Sequence, residues 1–262
     1  TRPVIGWGLG AVPVSGPAGV LRKAARRGYL AGFDALITYS TQGAAMYHAE
    51  GIPLERIFVA HNAVVSRKSA PRERLQREEV PVVLFVGRLQ ARKRVDALIE
   101  ACAAVDIEKQ LWVVGDGPER GNLEALAAER LPGARFFGAI QGPELDRLFR
   151  TADLFVLPGT GGLAVQEAMG AGLPVIAAEG DGTQQDLVSV ENGWLLPPGD
   201  TAALKEALTD ALSDRGRLLL MGQRSRERVR QSVNIESMAE VFHRAMCAVT
   251  GTEKQDEAGI YR

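Results

Sequence analysis

Two groups of residues in this chain have the types and spacing to hold a phosphate. The first is Gly87-Arg-Leu-Gln-Ala-Arg-Lys93, a glycine turn followed by the cations Arg88 and Lys93. Fixed cations beside a glycine turn can neutralise a departing pyrophosphate in a water-poor cleft. The ordinary alternative, a solvated basic helix start, conflicts with the helix dipole, which disfavours cations at that end. The second group is Pro158-Gly-Thr-Gly-Gly-Leu-Ala-Val-Gln-Glu167-Ala-Met-Gly-Ala-Gly-Leu-Pro-Val175. It reads as a glycine-rich turn opening a helix, with a carboxylate about one turn inside and a buried strand beyond. Backbone N–H groups at such a start attract anions, and glycines let a phosphate come close. The spacing therefore points to a phosphate-bearing ligand.

The elements that must position these residues are short apolar strands alternating with helical stretches. Strands are predicted at 3–7, 35–38, 56–60, 82–86, 111–114, 134–137, 154–157 and 174–177. Between them, 95–105, 119–129 and 144–151 have apolar residues at three- and four-residue spacing, as helices do. Continuous apolar strands between amphipathic helices argue for an α/β fold with a doubly wound parallel sheet. Both phosphate-type segments then fall at carboxyl ends of strands, where open parallel sheets bind ligands. Residues 66–80 are polar and charge-rich and read as a linker. That division makes 1–65 the final elements of one domain and 81–231 a complete second domain. A closing helix is expected over 232–249, with Ile235, Met238, Val241, Phe242 and Ala245 on one stripe, and a mobile polar tail over 250–262.

Composition narrows the function classes. The 262 residues carry a formal net charge of −1, which gives no overall attraction to nucleic acid. Cys102 and Cys247 sit in apolar helical patterns and read as buried free thiols, suiting a reducing, cytoplasmic setting. No apolar run approaches the ~18 residues of a membrane span. The run Arg22-Lys-Ala-Ala-Arg-Arg27 lies on a helical stretch with Val20, Leu21, Tyr29 and Leu30. Its ordinary reading is a solvated face; the alternative is peripheral contact with anionic lipid at the inner face of the membrane. His48, His61 and His243 show no metal-ligand spacing, so no metal is expected. Residue 1 is Thr, and an apolar strand follows almost at once, which reads as a chain lacking its N-terminal part.

The string Glu167-Ala-Met-Gly-Ala-Gly-Leu-Pro-Val175, together with Gly87-Arg-Leu and Lys93, resembles the donor-site signature of retaining glycosyltransferases with two Rossmann-like domains (the GT-B fold, family 4). The resemblance spans about residues 30–250. It implies a Rossmann-like donor domain and a partial second one, with a nucleoside-diphosphate sugar as ligand and no cofactor. A saccharide or lipid-linked saccharide hydroxyl would be the acceptor. Arg88 and Lys93 would then neutralise the donor diphosphate, and Glu167 would accept the ribose hydroxyls. Gly87, Gly161, Gly162 and Leu163 would offer close backbone, and the Phe137-Gly-Ala-Ile140 loop would border the base. Gly115-Asp-Gly-Pro118 matches the second strand-to-helix loop and reads as structural, since Gly121 comes one residue too late for a dinucleotide fingerprint. Asn192-Gly-Trp-Leu-Leu-Pro-Pro-Gly-Asp200 resembles the closing strand and turn.

Two departures stand out. The family has a first Glu, contacting the transferred sugar, eight residues before the second; here that donor-site position is Gly159. Thr183 or Asp186, in Glu179-Gly-Asp-Gly-Thr-Gln-Gln-Asp186, could replace it. Arg94 stands where the family usually has Gly, and Arg92 and Arg94 read as surface charges. The expected activity is retaining sugar transfer in polysaccharide or glycolipid assembly. Two alternatives remain: a nucleotide-sugar-binding inactive paralogue, and, with less support, a nucleotide-sugar epimerase.

Overall fold

The computed structural model describes residues 2–11, 16, 19–67 and 79–251. The chain divides into two units, Ala63–Ile235 and Thr1–Asn62 with Glu236–Arg262. Most of the expected linker and the tail beyond 251 lie outside the described residues.

In the smaller unit, β1 (Ile5–Gly8), β2 (Ala35–Thr38) and β3 (Ile57–Val59) form a parallel sheet in that order. Central β2 is buried along its whole length, as its Ala-Leu-Ile-Thr sequence requires. Two helices join the strands, α1 (Gly19–Ala31) and α2 (Thr41–Ala49). Ser40 caps α2 by accepting from Gly43 N–H at 3.1 Å. Another helix, numbered α10 in chain order (Ile235–Thr250), packs Val241 and Ala245 against Ile37 and Ala60. The closing helix is therefore part of the first unit's core. Cys247 on this helix is half-buried rather than buried, because only the Val241–Ala245 face of α10 meets the sheet.

The larger unit contains a parallel sheet of β4 (Val82–Val86), β5 (Gln110–Val114), β6 (Arg135–Gly138), β7 (Leu154–Leu157), β8 (Val175–Ala178) and β9 (Gly193–Leu196). Their spatial order is β6-β5-β4-β7-β8-β9. The central strands have apolar side chains on both faces, and Val82 to Phe85 and Leu154 to Val156 are 0% exposed. Such strands need helices on both sides. These are α3 (Val95–Ala104), α4 (Arg120–Arg130), α5 (Pro143–Thr151), α6 (Ala164–Gly170), α7 (Thr183–Leu187), α8 (Thr201–Ser213) and α9 (Arg215–Gln231). Asp200 and Asp214 start α8 and α9 by accepting from Ala203 N–H at 2.9 Å and Arg217 N–H at 3.0 Å.

The strand order reverses at β4, with β5 and β6 on one side and β7, β8 and β9 on the other. The loops leaving β4 and β7 therefore lead to helices on opposite faces, both starting from the carboxyl end of the sheet. A sheet of this kind binds ligands at that point. The amino end is closed differently. Asp153, 0% exposed, accepts from Val82 N–H at 3.0 Å and from Arg215 Nη2 at 3.1 Å.

Candidate functional site

The loop after β4 carries Gly87, Arg88 and Lys93. A tight turn over Ala91–Lys93 connects it to α3. The next residue, Arg94, has φ 54° and ψ 39°, making it the sole non-glycine with positive φ among the described residues. A β-carbon is disfavoured in this left-handed conformation by about 1–2 kcal/mol. This explains in physical terms why glycine suits the position. Arg94 also ion-pairs with Asp96 at 3.3 Å.

The two cations of the motif occupy unlike environments. Arg88 is exposed, and its guanidinium has no hydrogen-bond or ion-pair partner among the described residues. It lines a cleft of about 500 Å³ with Gly87, Gly115, Asp116, Gly117, Ala139 and Ile140. Lys93 is 6% exposed, and its Nζ donates to the carbonyls of Thr160 at 2.8 Å and Gly161 at 2.6 Å. Burial lowers its pKa below 10.5, the neighbouring Arg92 lowers it further, and Asp181 opposes them. Lys93 therefore stitches the β4 loop to the adjoining β7 loop, while holding a charge that burial makes costly.

Backbone contacts reinforce this stitch. Thr160 N–H donates to Arg92 C=O at 3.0 Å, and Arg92 Nη1 donates to Thr160 Oγ1 at 3.3 Å. Gly159 lies beneath this contact. A β-carbon there would stand 2.2 Å from Arg92 O and 2.5 Å from the Lys93 carbonyl carbon. The backbone consequently admits no side chain at the position of the expected sugar-contacting Glu. Gly115 serves the same purpose on the other side, since its β-carbon would stand 1.8 Å from Gly87 O. Leu89 N–H donates to Asp116 C=O at 2.9 Å, and Glu119 N–H to Leu89 C=O at 3.1 Å, so two loop backbones run in direct contact.

Beyond Gly159 the β7 loop turns through Gly161 and Gly162, at φ 57° and 129°, into α6. The N–H groups of Gly161, Gly162 and Leu163 make no hydrogen bond among the described residues. Leu163 is partly exposed, and its carbonyl accepts from Glu167 N–H at 3.0 Å. Glu167 is half-buried one turn inside α6. Its neighbour Gln166 is 1% exposed, and its Oε1 accepts from Val64 N–H at 2.6 Å. Gln166 is thus structural, anchoring the start of the unit.

The structure brings Gly87, Arg88 and Ile140 to one cleft and Lys93, Gly159 and Gly161 to one stitched pair of loops. Gly162, Leu163 and Glu167 continue from that pair into α6. Sequence reasoning missed Thr160, whose carbonyl holds Lys93, and Asp181, which borders Gly161. A carbonyl carries no sequence signal. Asp181 did carry one, since it lies between Gly180 and Gly182 in a loop at the carboxyl end of β8.

Residues 66–231, more than half of the chain, match the family model "Glycosyl transferases group 1". The chain belongs to this family. Among relatives of this glycosyltransferase family member is the GDP-mannose-dependent alpha-mannosyltransferase of Mycobacterium tuberculosis. It is 35% identical over 191 residues, which is 70% of this chain and 47% of the relative. The sulfoquinovosyl transferase SQD2 of Arabidopsis thaliana is 35% identical over 156 residues, 57% of this chain and 30% of that protein. The chain thus spans less than half the length of these curated relatives. Sucrose-phosphate synthase from Thermosynechococcus elongatus superposes with a TM-score of 0.76 and 26% identity, covering 95% of this chain and 68% of its own. Anabaena HepE, solved with UDP, gives a TM-score of 0.74 at 19% identity, covering 94% of this chain and 72% of its own, and shows likeness of fold alone. The fold is α/β with Rossmann-like parallel sheets, as in these GT-B neighbours.

Elsewhere, the basic run of α1 is partly spent within its own unit. Arg26 pairs with Glu50, and Arg27 lies 3.6 Å from the same carboxylate, which is 7% exposed. Arg22 and Lys23 are exposed beside Val20 and Leu21. Among the described residues no helix is long and apolar enough to cross a membrane, and no cluster of His, Cys, Asp or Glu suits a metal ion.

Proposed function

We propose that this chain forms the donor-binding part of a retaining glycosyltransferase that moves a sugar from a nucleoside diphosphate to a hydroxyl acceptor. The observation that carries this reading is the carboxyl end of the sheet at the β4–β7 reversal, where Lys93, Arg88 and N–H groups of Gly161–Leu163 that make no hydrogen bond among the described residues lie on the loops after β4 and β7. Cations and backbone donors held rigidly near a bond that breaks to release diphosphate stabilise the developing charge. Lys93 and Arg88 divide that work. Arg88 meets the ligand from the open cleft, whereas Lys93 supplies charge from beneath the β7 loop it holds in place. Glu167 takes the ribose hydroxyls, and the Ala139–Ile140 edge of the cleft borders the base. Gly159 contributes by letting the two loops touch.

No side-chain base is assigned. With retention, the acceptor hydroxyl approaches from the leaving-group side and its proton passes to the departing phosphate oxygen. Relatives named for GDP-mannose-dependent mannosyl transfer support a nucleotide-sugar donor. An acceptor in glycolipid or polysaccharide assembly is supported by the names of other relatives, among them a phosphatidyl-myo-inositol mannosyltransferase of Mycobacterium leprae. The exposed Val20–Lys23 end of α1 supports peripheral contact with a lipid-linked acceptor. Calorimetric titration with UDP, GDP and ADP tests the donor assignment. One nucleotide should bind, and Arg88→Ala should lower its affinity about tenfold or more, the loss typical of a charge-assisted contact. Binding of none, or equal binding by the variant, would contradict the assignment.

A further inference from the structure

The β7 loop, Pro158 to Leu163, has no carboxylate of its own, and Gly159 cannot carry a side chain on this backbone. The neighbouring loop, between β8 and α7, supplies one. Asp181 is exposed there, and its Oδ2 lies 3.7 Å from the point a β-carbon on Gly161 would occupy. Its other oxygen is fixed: Oδ1 accepts from Thr183 N–H at 3.1 Å and from Thr183 Oγ1 at 2.5 Å. The carboxylate is therefore oriented by its own loop so that one oxygen faces the backbone that Lys93 also grips. We infer that Asp181 binds hydroxyl groups of the transferred sugar and sets which sugar the site accepts. This inference rests on the nucleotide-sugar reading above.

The chemistry favours this role over the others open to a carboxylate here. An ionised carboxylate only accepts hydrogen bonds. Against a diphosphate it would repel, so its useful partners on a nucleotide sugar are hydroxyls. Those of the ribose fall to Glu167, which lies on α6 beyond the glycine turn. The remaining donors are on the sugar attached to the distal phosphate, the end of the ligand nearest Lys93 in this reading. Asp181 also moderates the charge environment of Lys93. The Gly161 backbone thus lies beside both an acceptor for sugar hydroxyls and a cation for phosphate. Thr183 acts as the positioning residue for Asp181. Asp186 lies on α7, where its carbonyl accepts from Arg228 Nη2 at 2.6 Å.

The test compares each nucleoside diphosphate with its sugar conjugate: UDP with UDP-glucose, and GDP with GDP-mannose. Affinities are measured on the native chain, Asp181→Asn and Thr183→Val, with melting temperatures recorded alongside. The native chain should bind one conjugate more tightly than its bare diphosphate. In Asp181→Asn that advantage should shrink about tenfold, the loss of a hydrogen bond to a charged acceptor. Bare diphosphate should bind as well or better, since a like charge has been removed. Thr183→Val should give a smaller change of the same sign. An unchanged advantage in Asp181→Asn, parallel loss of conjugate and diphosphate, or no advantage for either conjugate in the native chain would each overturn the inference. If the native chain binds no diphosphate at all, the donor reading fails first and takes this inference with it.

Discussion

The two ends of the six-stranded sheet are built on opposite principles. At the amino end Asp153 is wholly buried and bound by Val82 N–H and Arg215, so its charge is matched within the fold. At the carboxyl end the charges are only partly matched. Arg88 has no partner among the described residues, and Lys93 is held by carbonyls rather than by a carboxylate. The backbone there is brought to contact distance by glycines, leaving N–H groups for something else to satisfy. Buried polar groups normally find partners within the protein. Cost is accepted at one end of the sheet and avoided at the other, which is how a ligand end differs from a structural end.

Breaking the amino end should cost the most stability. Asp153→Ala strands Arg215 and the Val82 amide, and should lower unfolding free energy by about 3–5 kcal/mol in denaturant titration. Nucleoside-diphosphate affinity should be retained by molecules still folded. Breaking the carboxyl end should reverse the pattern. Lys93→Ala should lower diphosphate affinity about a hundredfold, about 2.7 kcal/mol, with a smaller effect on folding.

The same lysine gives the contrast a pH signature. Because burial and Arg92 depress its folded pKa below the 10.5 it has when unfolded, it loses its proton in the folded state first. Between those two values the unfolded chain binds more protons, so this group's contribution to stability rises with pH. Diphosphate affinity should meanwhile fall over the same window. A titration in which affinity and stability fall together would contradict the assigned environment.

Gly159→Ala is the intermediate case. The added methyl must push apart the β4 and β7 loops, for about 1–3 kcal/mol of destabilisation, with weakened diphosphate binding read in the same titration. The smallest effect is a gain. Arg94→Gly should relieve the left-handed backbone and raise stability by about 1 kcal/mol in thermal unfolding, leaving ligand affinity nearly unchanged.

Much of this organisation was legible in the chain. Short apolar runs rich in β-branched and aromatic residues, such as Val82–Val86 and Leu154–Leu157, read as buried strands, and each of these two is observed at the expected residues. The Gly87–Lys93 and Pro158–Val175 segments fell at strand ends because the period of the apolar pattern changes there. Backbone-to-backbone relations were not legible. Nothing in the letters says that Lys93 reaches the Thr160 carbonyl, or that Gly159 presses on Arg92. The Gly115–Gly117 turn read as structural, and its direct contact with the β4 loop gives the reason. The face on which α10 buries Ala245 but leaves Cys247 half-covered depends on which sheet it meets, which periodicity alone does not name.

Hydrogen–deuterium exchange of the native chain, with and without the nucleoside diphosphate that binds it, tests the contrast between the two ends most directly. Added protection should appear in residues 87–94, 115–117, 139–140 and 160–163, with none around 81–83, 153 and 215. Protection confined to the amino end, or spread evenly over the sheet, would contradict it.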